Sequence, residues 1–216
     1  MSTAIIVQAR MGSKRFPGKV MADLCGRPVL WHVLTRCLQI KLKDRVILAM
    51  PQEPESAPLK PIAGLLGVDT YFGPENDVLA RYLGAARHFE ADLIVRITAD
   101  CPLIDPELCD QVIALAKQMV KEIKDPQAGI YVSNVYPEAT FEQGLACQVF
   151  TRRTLEMADR HATLPRYREH VCPWMEETGR VLKGSITSND PKRARTNWCV
   201  DYPEDIARLE RIMECA

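Results

Sequence analysis

A loop rich in basic residues follows the first predicted strand and is the part of the chain best suited to chemistry. It spans residues 8–19 and contains no acidic side chain. Its cations are Arg10, Lys14, Arg15 and Lys19. Glycines permit turns that aim backbone N–H groups at phosphate oxygens, and several cations can balance a triphosphate. The loop therefore predicts a phosphate site, although a solvated basic surface explains the same residues equally well.

The glycines of this loop exclude two common kinds of nucleotide site. Gly12 and Gly18 are the two glycines between residues 8 and 19. Their spacing matches neither the G-x-G-x-x-G fingerprint of dinucleotide-binding folds nor the G-x-x-x-x-G-K-[ST] pattern of a P-loop. A phosphate site in this loop would therefore be of another type.

Two aspartates that lie far apart in the sequence each follow a predicted strand. Asp100 follows the strand predicted at residues 93–98, and Asp201 follows one predicted at residues 196–200. Ligands of open α/β sheets bind beyond the carboxyl ends of the strands, and Mg²⁺ favours one or two carboxylates together with phosphate oxygens. The two aspartates could therefore converge on one cation. A turn or helix cap is the competing interpretation of each, and on residue types alone it is the stronger one for Asp201.

Strands and helices must alternate to place these side chains at one edge of a sheet. Through residue 121, apolar β-rich runs alternate with segments of helical periodicity, which predicts an α/β sheet covered on both faces. Beyond residue 125 this regular alternation of strands and helices ends. The part of the chain up to residue 121 has predicted strands at residues 3–9, 45–50, 69–72 and 93–98. Its predicted helices lie at residues 29–40, 77–89 and 106–121. The part beyond residue 125 has predicted strands at 130–135, 145–150, 180–186 and 196–200 and helices at 152–160, 166–177 and 203–213.

Composition excludes several classes of protein. The chain has 216 residues, 47% of them hydrophobic and 26% charged, which is not the composition of a collagen, a disordered tail or a disulfide-dense miniprotein. Lys and Arg total 28 and Asp and Glu total 28, so the formal net charge is zero. A neutral chain argues against nucleic acid or a membrane surface as its partner.

The chain shows no sequence signal for a membrane or for secretion. No apolar run approaches the about 20 residues of a membrane helix, and the first ten residues lack the pattern of a signal peptide. We therefore expect a cytoplasmic protein. Its eight cysteines form no C-x-x-C pair, which predicts reduced and mostly buried side chains rather than disulfides or a metal site.

Five stretches of the chain resemble one enzyme family in both sequence and order. The stretch at residues 5–19 closely resembles the signature of the cytidylyltransferases that activate acidic sugars, such as the 3-deoxy-manno-octulosonate and acylneuraminate enzymes, and is most similar to their spore coat polysaccharide biosynthesis branch. The other stretches lie at residues 77–82, 96–105, 168–171 and 200–205. The resemblance implies an α/β fold that is GT-A-like (Rossmann-like), with three α/β/α layers, a mixed central sheet and a small β extension.

The same resemblance implies an activity. A member of this family would transfer CMP from CTP to an acidic or related sugar, release pyrophosphate, use Mg²⁺ held by Asp100 and Asp201, serve surface polysaccharide biosynthesis and form a homodimer. The implied catalytic residues are Arg10, Lys19 and Asp100. The implied nucleotide-binding residues are Gln8, Ala9, Arg10, Gly12, Ser13, Lys14, Arg15, Lys19, Asn76, Arg81, Thr98 and Ala99. Residues 1–216 would then be a single nucleotidyltransferase domain, with a nucleotide-binding half at 1–125 and an acceptor and dimer half at 126–216.

The acceptor side departs from the family pattern. The resemblance and the basic cluster near residue 168 predict acceptor contacts from Gln148, Arg166, Arg168 and His170, and a structural helix face is the alternative for the last three. Ala146 and Gln148 stand where the family usually has Asp and Glu, and Thr98 stands where related sialic-type enzymes have Gln. These departures leave open an unusual acceptor or a loss of activity.

Two other functions therefore remain as hypotheses. One is a sugar-1-phosphate nucleotidylyltransferase that uses another triphosphate. The other is a non-catalytic nucleotide-binding protein on the same fold. For the expected homodimer, we predict an interface at residues 130–150, because the strands there have no obvious cover in a chain of this length.

Overall fold

A seven-stranded sheet forms the centre of the protein, and a two-stranded hairpin lies beside it. The computed structural model describes residues 1–52, 54–125, 127–190 and 193–214. The strands are β1 (Thr3–Gln8), β2 (Asp23–Leu24), β3 (Arg27–Pro28), β4 (Arg45–Pro51), β5 (Asp69–Gly73), β6 (Leu93–Thr98), β7 (Gly129–Ser133), β8 (Gln148–Thr151) and β9 (Val181–Ser185). Strands β2 and β3 form the hairpin.

The helices begin where the sequence supplies caps. Asp77 accepts a hydrogen bond from the Ala80 amide (2.9 Å) before α3, and Asp105 caps α4, whose first residue is proline, as good N-caps and first-turn residues do. Single-turn 3₁₀ helices lie at Lys19–Met21, Pro54–Ser56 and Arg193–Arg195. The α-helices are α1 (Val29–Gln39), α2 (Leu59–Leu66), α3 (Val78–His88), α4 (Pro106–Glu122), α5 (Arg152–His161), α6 (Pro165–His170), α7 (Pro173–Glu177) and α8 (Glu204–Glu214).

The central sheet is mixed, as expected. Its strand order is β5-β4-β1-β6-β8-β7-β9. The first four strands of this order are parallel, β8 is antiparallel to both β6 and β7, and β9 is parallel to β7. The strands of the second half therefore extend the sheet of the first half by pairing β8 with β6.

Apolar side chains fill both faces of this sheet. Alternate residues of a strand point to opposite faces, so Ile5 and Val7 join a core with α1, α2 and α4, while Ala4 and Ile6 join a second core with α3, α5 and α7. These side chains are almost fully buried. The two cores confirm the three-layer α/β/α architecture.

Three expectations about the second half are corrected. Residues 196–200 do not form a strand. Within the described residues, their single β-bridge joins Asn197 to Gln143. The helix expected at residues 166–177 is two helices, α6 and α7, separated by a turn at Val171. The strands at residues 130–150 are covered within the chain, since β7 is buried along its whole length and packs with α4 and α5. The reason for placing a dimer interface there was therefore wrong.

The remaining expectations concern cysteines and membrane spans. Cysteines 37, 101, 109, 147 and 172 are buried, Cys199 is half-buried and Cys25 is exposed, so the prediction of mostly buried cysteines is confirmed for the described residues. Cys215 lies outside them. Within the described residues, no helix is both long enough and apolar enough to cross a membrane.

Candidate active site

A cleft of about 400 Å³ opens beyond the carboxyl ends of β1 and β6. It lies where ligands of open α/β sheets bind, and it unites residues from the two ends of the chain. The predicted site residues that line it are Gln8, Ala9, Arg10, Ser13, Lys14, Arg15, Lys19, Thr98, Ala99, Asp100, His170 and Asp201. Val20, Val78, Arg96 and Glu169 also line it and were not predicted.

The basic loop curls back on itself at a glycine. The Met11 carbonyl accepts hydrogen bonds from the amides of Ser13 and Gly18, both at 2.9 Å. Gly18 has φ +71°, a left-handed conformation that glycine adopts without the strain a Cβ would add. The 3₁₀ turn Lys19–Met21 starts immediately after it, so the curl places the Lys19 side chain inside the cleft.

Lys19 joins the two predicted metal ligands. Its Nζ donates hydrogen bonds to Asp100 Oδ2 (2.7 Å), Asp201 Oδ1 (3.0 Å) and the Val200 carbonyl (2.8 Å). The two carboxylates therefore converge on one cationic atom, although 101 positions separate them in the sequence. Two carboxylates beside the predicted phosphate-binding loop match the coordination that Mg²⁺ prefers, so this pair fits a divalent cation. No group of three or more His, Cys, Asp or Glu side chains in the described ranges could hold one.

The contact between Lys19 and Asp100 shifts the pKa values of both side chains. Burial opposes the charge on Asp100, but attraction to the Lys19 ammonium and its hydrogen bond outweigh burial and lower the pKa of the carboxyl. Burial likewise opposes the charge on Lys19, and attraction to Asp100 with hydrogen bonds to both carboxylates raises the pKa of the ammonium. Asp100 and Lys19 are therefore both charged at neutral pH.

Backbone contacts bring Asp201 to Asp100. The Val200 amide donates to the Asp100 carbonyl (2.9 Å), which ties the two aspartate segments together directly. Asp205 Oδ2 accepts hydrogen bonds from the amides of Asp201 (2.7 Å) and Tyr202 (2.8 Å). Asp205 lies in the first turn of α8 and reaches back to these amides, as the acidic residue of a capping box does, and this contact fixes the backbone that presents Asp201.

A second set of backbone contacts holds the segment that precedes Asp201. Gln143 donates its amide hydrogen to the Thr196 carbonyl (2.9 Å), and its carbonyl accepts from the Trp198 amide (2.6 Å). Gly144 follows with φ +106°, and a Cβ on it would lie 2.8 Å from the Trp198 carbonyl carbon. Only glycine allows this close approach of two backbones. The loop around Gly144 therefore positions the segment that leads to Asp201.

The residues predicted to contact the nucleotide base occupy different environments. Arg81 is fully buried, and its Nη1 donates to the carbonyls of Pro74 and Glu75, while burial lowers the pKa of its guanidinium. Asn76 is exposed on the same loop. Gly12 is exposed, and a Cβ there would lie 3.7 Å from Glu75 Oε1, so the loop at residues 74–76 lies beside the basic loop. Arg81 supports this loop from within, and a base contact through its side chain stays a prediction.

The four predicted acceptor residues do not form one cluster. Arg166 pairs with Glu177 on the surface (2.7 Å), and Arg168 pairs with Asp77 at the start of α3 (2.6 Å). Gln148 is buried in β8, and His170 is the member of the four that lines the cleft. Successive residues of a helix point about 100° apart, so the arginines of α6 face neighbouring elements while its end faces the cleft.

The end of α6 reaches the cleft through an unusual turn. Val171 has φ +70° and ψ −59°, and the Cys172 amide donates to the His170 carbonyl (2.8 Å), which is a γ-turn with positive φ. A β-branched residue is strained in this conformation, at a cost of about 1–3 kcal/mol. The turn ends α6 and fixes the direction of His170 and of Glu169, whose carboxylate lies 3.7 Å from Arg10.

Sequence reasoning missed two charged residues that line the site. One is Glu169 of α6, and the other is Arg96 of β6. It interrupts the otherwise apolar run Leu-Ile-Val-Arg-Ile-Thr of β6, and a charged residue in a buried strand is rare unless it has a role. This interruption of the apolar pattern is the sequence signal from which Arg96 could have been predicted. Its Nη1 donates to Gln148 Oε1 at 2.6 Å.

Comparison with known proteins identifies similar chains. A family model described as cytidylyltransferase matches residues 4–215. An uncharacterized protein of Methanocaldococcus jannaschii is 35% identical over 178 residues, which cover 82% of this chain and 68% of that protein. A 3-deoxy-manno-octulosonate cytidylyltransferase of Trichlorobacter lovleyi is 37% identical over 114 residues, which cover 52% of this chain but 44% of that enzyme. The chain thus spans less than half the length of that relative.

A solved structure matches over the whole chain. The structure of a cytidylyltransferase from Leptospira borgpetersenii superposes with a TM-score of 0.91 at 29% sequence identity. The match covers 100% of this chain and 88% of the solved one. The arrangement of elements that forms the cleft is therefore shared with that protein.

Proposed function

Because this chain belongs to the cytidylyltransferase family, we propose that it transfers CMP from CTP to an acidic sugar and releases pyrophosphate. The observation that carries the proposal is the convergence of the basic loop, Asp100 and Asp201 on one cleft. A relative named for an acidic sugar, 3-deoxy-manno-octulosonate, supports the class of acceptor.

The basic loop binds the triphosphate in this proposal. Arg10, Lys14 and Arg15 line the cleft and supply charge-assisted hydrogen bonds to phosphate oxygens. Lys19 lies between the two aspartates and contacts the phosphates from inside the cleft.

Asp100 and Asp201 would hold Mg²⁺. Their carboxylates already surround one cationic atom, Lys19 Nζ, so together they suit a cation that also contacts the substrate phosphates. When bound, Mg²⁺ would supply Lewis-acid stabilisation of the charge that develops on the phosphate oxygens.

The chain's residues promote the transfer by placing and neutralising charge. The acceptor hydroxyl oxygen forms a bond to the α-phosphorus and releases its proton to water, while the bond from that phosphorus to the oxygen that bridges it to the β-phosphorus breaks. Pyrophosphate leaves with the bonding electrons, and Arg10 and Lys19 stabilise its charge. Before ligands bind, Asp100 holds Lys19 at this place in the cleft by the 2.7 Å hydrogen bond.

We also propose a setting for this reaction. CTP is a cytoplasmic metabolite, and activated acidic sugars are precursors of surface polysaccharides, so the enzyme acts in the cytoplasm on that route. We propose that it works as a homodimer, on the family resemblance alone. Sedimentation at low micromolar concentration tests the dimer, and a single monomeric species would contradict it.

Nucleotide binding is the first test because it does not require the acceptor. The protein is titrated by calorimetry with CTP, UTP, GTP and ATP, each with Mg²⁺, beside the variant Asp100→Ala. We expect selective CTP binding that weakens in the variant. Preference for another triphosphate would favour a sugar-1-phosphate nucleotidylyltransferase. Binding of CTP without pyrophosphate release across a panel of acidic sugars would favour a non-catalytic protein.

A further inference from the structure

Arg96 places a positive charge on the floor of the cleft. It lies on β6, opposite Ile6 of β1 on one side and Gln148 of β8 on the other. Alternation along the strand puts its side chain on the same face as Ile94 and Thr98. It is half-buried and lines the cleft.

No carboxylate in the part of the chain that the structure describes forms an ion pair with this charge, and Asp100 attracts it only from a longer distance. The one hydrogen bond of the Arg96 guanidinium joins Nη1 to Gln148 Oε1 (2.6 Å), and Nε is buried without a partner. By contrast, Arg10 and Arg15 of the same cleft form ion pairs with Glu169 and Asp201. A buried donor without a partner and an unpaired charge both cost free energy, so the site is suited to an anion.

A chain of hydrogen bonds holds Arg96 in this position. Gln148 Nε2 donates to the Tyr131 hydroxyl (2.9 Å), and that hydroxyl donates to Glu176 Oε1 (2.5 Å). Burial raises the pKa of Tyr131, so the phenol keeps its proton and remains a donor. Because the Gln148 amide nitrogen is used in this way, its oxygen faces Arg96 and fixes the guanidinium.

Gln148 is also the residue that leaves the charge of Arg96 available. The neutral amide orients the guanidinium without neutralising it. A carboxylate at the same position would form a buried ion pair with Arg96 and satisfy it within the protein. The chain therefore keeps both a fixed guanidinium and a net positive charge at this point.

The place of Arg96 separates it from the phosphate site. The cations of the phosphate site come from the loop after β1, whereas the Arg96 guanidinium extends toward β8, where its Nη1 donates to Gln148 Oε1. Strand β8 belongs to the second half of the chain, and Arg96 lies within β6, four residues before Asp100, which follows the end of that strand. An anion bound at Arg96 would therefore be a part of the acceptor and not of the triphosphate.

We propose that Arg96 binds the carboxylate of the acceptor sugar and that Gln148, Tyr131 and Glu176 position it. This inference rests on the proposed function, since it assigns the acceptor subsite of the same cleft. It makes Arg96 the residue that selects an acidic acceptor over a neutral one. Gln148, predicted to contact the acceptor, acts instead as a positioning residue.

The test measures acceptor binding separately from turnover. Protein saturated with an α,β-methylene analogue of CTP, which cannot transfer CMP, is titrated by calorimetry with 3-deoxy-manno-octulosonate and with its uncharged methyl ester. The proteins are the wild type, Arg96→Met, Arg96→Lys and Gln148→Glu, with Arg45→Met as a matched control because Arg45 pairs with Asp69 on the surface.

We expect Arg96→Met and Gln148→Glu to weaken binding of the acid about 10–100-fold, the effect of losing a charge-assisted hydrogen bond. Arg96→Lys should fall between them and the wild type. The affinity for the CTP analogue should change less than about twofold, and the ester should bind equally weakly to all the proteins. A purely structural role would lower affinity for acid and ester alike.

The outcomes distinguish this inference from the proposed function. Unchanged binding of the acid by Arg96→Met overturns the inference, as does a wild type that does not bind the acid. If Arg96→Met fails to fold, Gln148→Glu decides, because it keeps Arg96 and removes only its free charge. Pyrophosphate release is assayed separately with CTP. Its absence, with acid binding still dependent on Arg96, would overturn the function and leave the carboxylate subsite in place.

Discussion

At the scale of single residues, Lys19 is the centre of the site. One ammonium satisfies two carboxylates and a backbone carbonyl, so the repulsion between Asp100 and Asp201 is neutralised in the protein without ligand. A divalent cation at the two carboxylates would compete with this ammonium. Lys19 would then be available to the phosphates of the nucleotide, and metal and nucleotide would bind more tightly together than separately.

Replacing Asp100 with Asn should separate catalysis from folding. Asn keeps the size of the side chain but removes the charge that pairs with Lys19, and the loss of one preorganised electrostatic contact lowers kcat roughly 10²–10³-fold. The measurement is pyrophosphate release from CTP with an acidic sugar, together with the circular dichroism spectrum.

Asp105→Asn is the matched control for this variant. Asp105 accepts hydrogen bonds from the amides of Glu107 and Leu108 as the cap of α4, and Asn caps a helix as well as Asp does. Its kcat should stay at the wild-type value. An Asp100→Asn protein with full activity would remove Asp100 from the chemistry.

At the scale of elements, the cleft depends on two short segments that other elements hold. Helix α6 has six residues, too few for independent stability, and Arg168 fastens it to Asp77 at the start of α3 by 2.6–3.0 Å hydrogen bonds. The segment before Asp201 has no strand partner beyond the Asn197 bridge within the described residues. The loop at Gly144 therefore determines where Asp201 lies.

Replacing Gly144 with Ala should disturb this second segment. The added Cβ would lie 2.8 Å from the Trp198 carbonyl carbon, and φ +106° is a strained conformation for alanine. We expect the free energy of unfolding to fall by about 1–3 kcal/mol and kcat to fall with it, because the Asp201 segment shifts. Urea unfolding and pyrophosphate release measure the two effects.

Gly64→Ala provides the same chemical change at a permissive site. Gly64 lies in helix α2, and a Cβ there has open space around it. In a helix interior, Ala is favoured over Gly by about 0.5–1 kcal/mol. This variant should therefore unfold at higher urea with unchanged activity. If Gly144→Ala matched the wild type in both measurements, the loop at residue 144 would have no part in positioning Asp201.

At the scale of the whole molecule, one continuous sheet joins the two halves of the chain and aligns their contributions to the cleft. Pairing of β6 with β8 brings Gln148 against Arg96, and the ion pair of Lys19 with Asp100 and Asp201 connects the beginning, middle and end of the sequence. Stability of the whole protein therefore depends on the charges in the site.

The pH dependence of stability should reveal this connection. The pKa of Asp100 in the folded protein lies below its ordinary value of 3.8, so the carboxylate stabilises the fold fully above that pH. This contribution is lost as the pH falls below 3.8 and through the folded pKa. The free energy of unfolding of the wild type minus that of Asp100→Asn should therefore be constant near neutral pH and decrease toward pH 3. Urea titrations across this range measure it, and a difference that stayed constant to pH 3 would contradict the ion pair.

The sequence by itself determined the local features of this protein. The basic loop, Asp100, the alternation of strands and helices and the caps at Asp77 and Asp105 follow from residue type and spacing, because turns, caps and periodicity depend on neighbours along the chain. The motifs at residues 5–19 and 96–105 also pointed to the cytidylyltransferase family, and the family match and the three-layer fold confirm that prediction.

Only the tertiary structure decided which partner each charged side chain has. Arg168 binds Asp77, Lys19 binds Asp201, and Arg96 faces a neutral glutamine, across separations of 91, 182 and 52 residues. Such contacts depend on how strands and helices pack and not on spacing within one element. For the same reason, the strand expected at residues 196–200 did not form and β7 proved to be covered, since both depend on the segments that pack beside them.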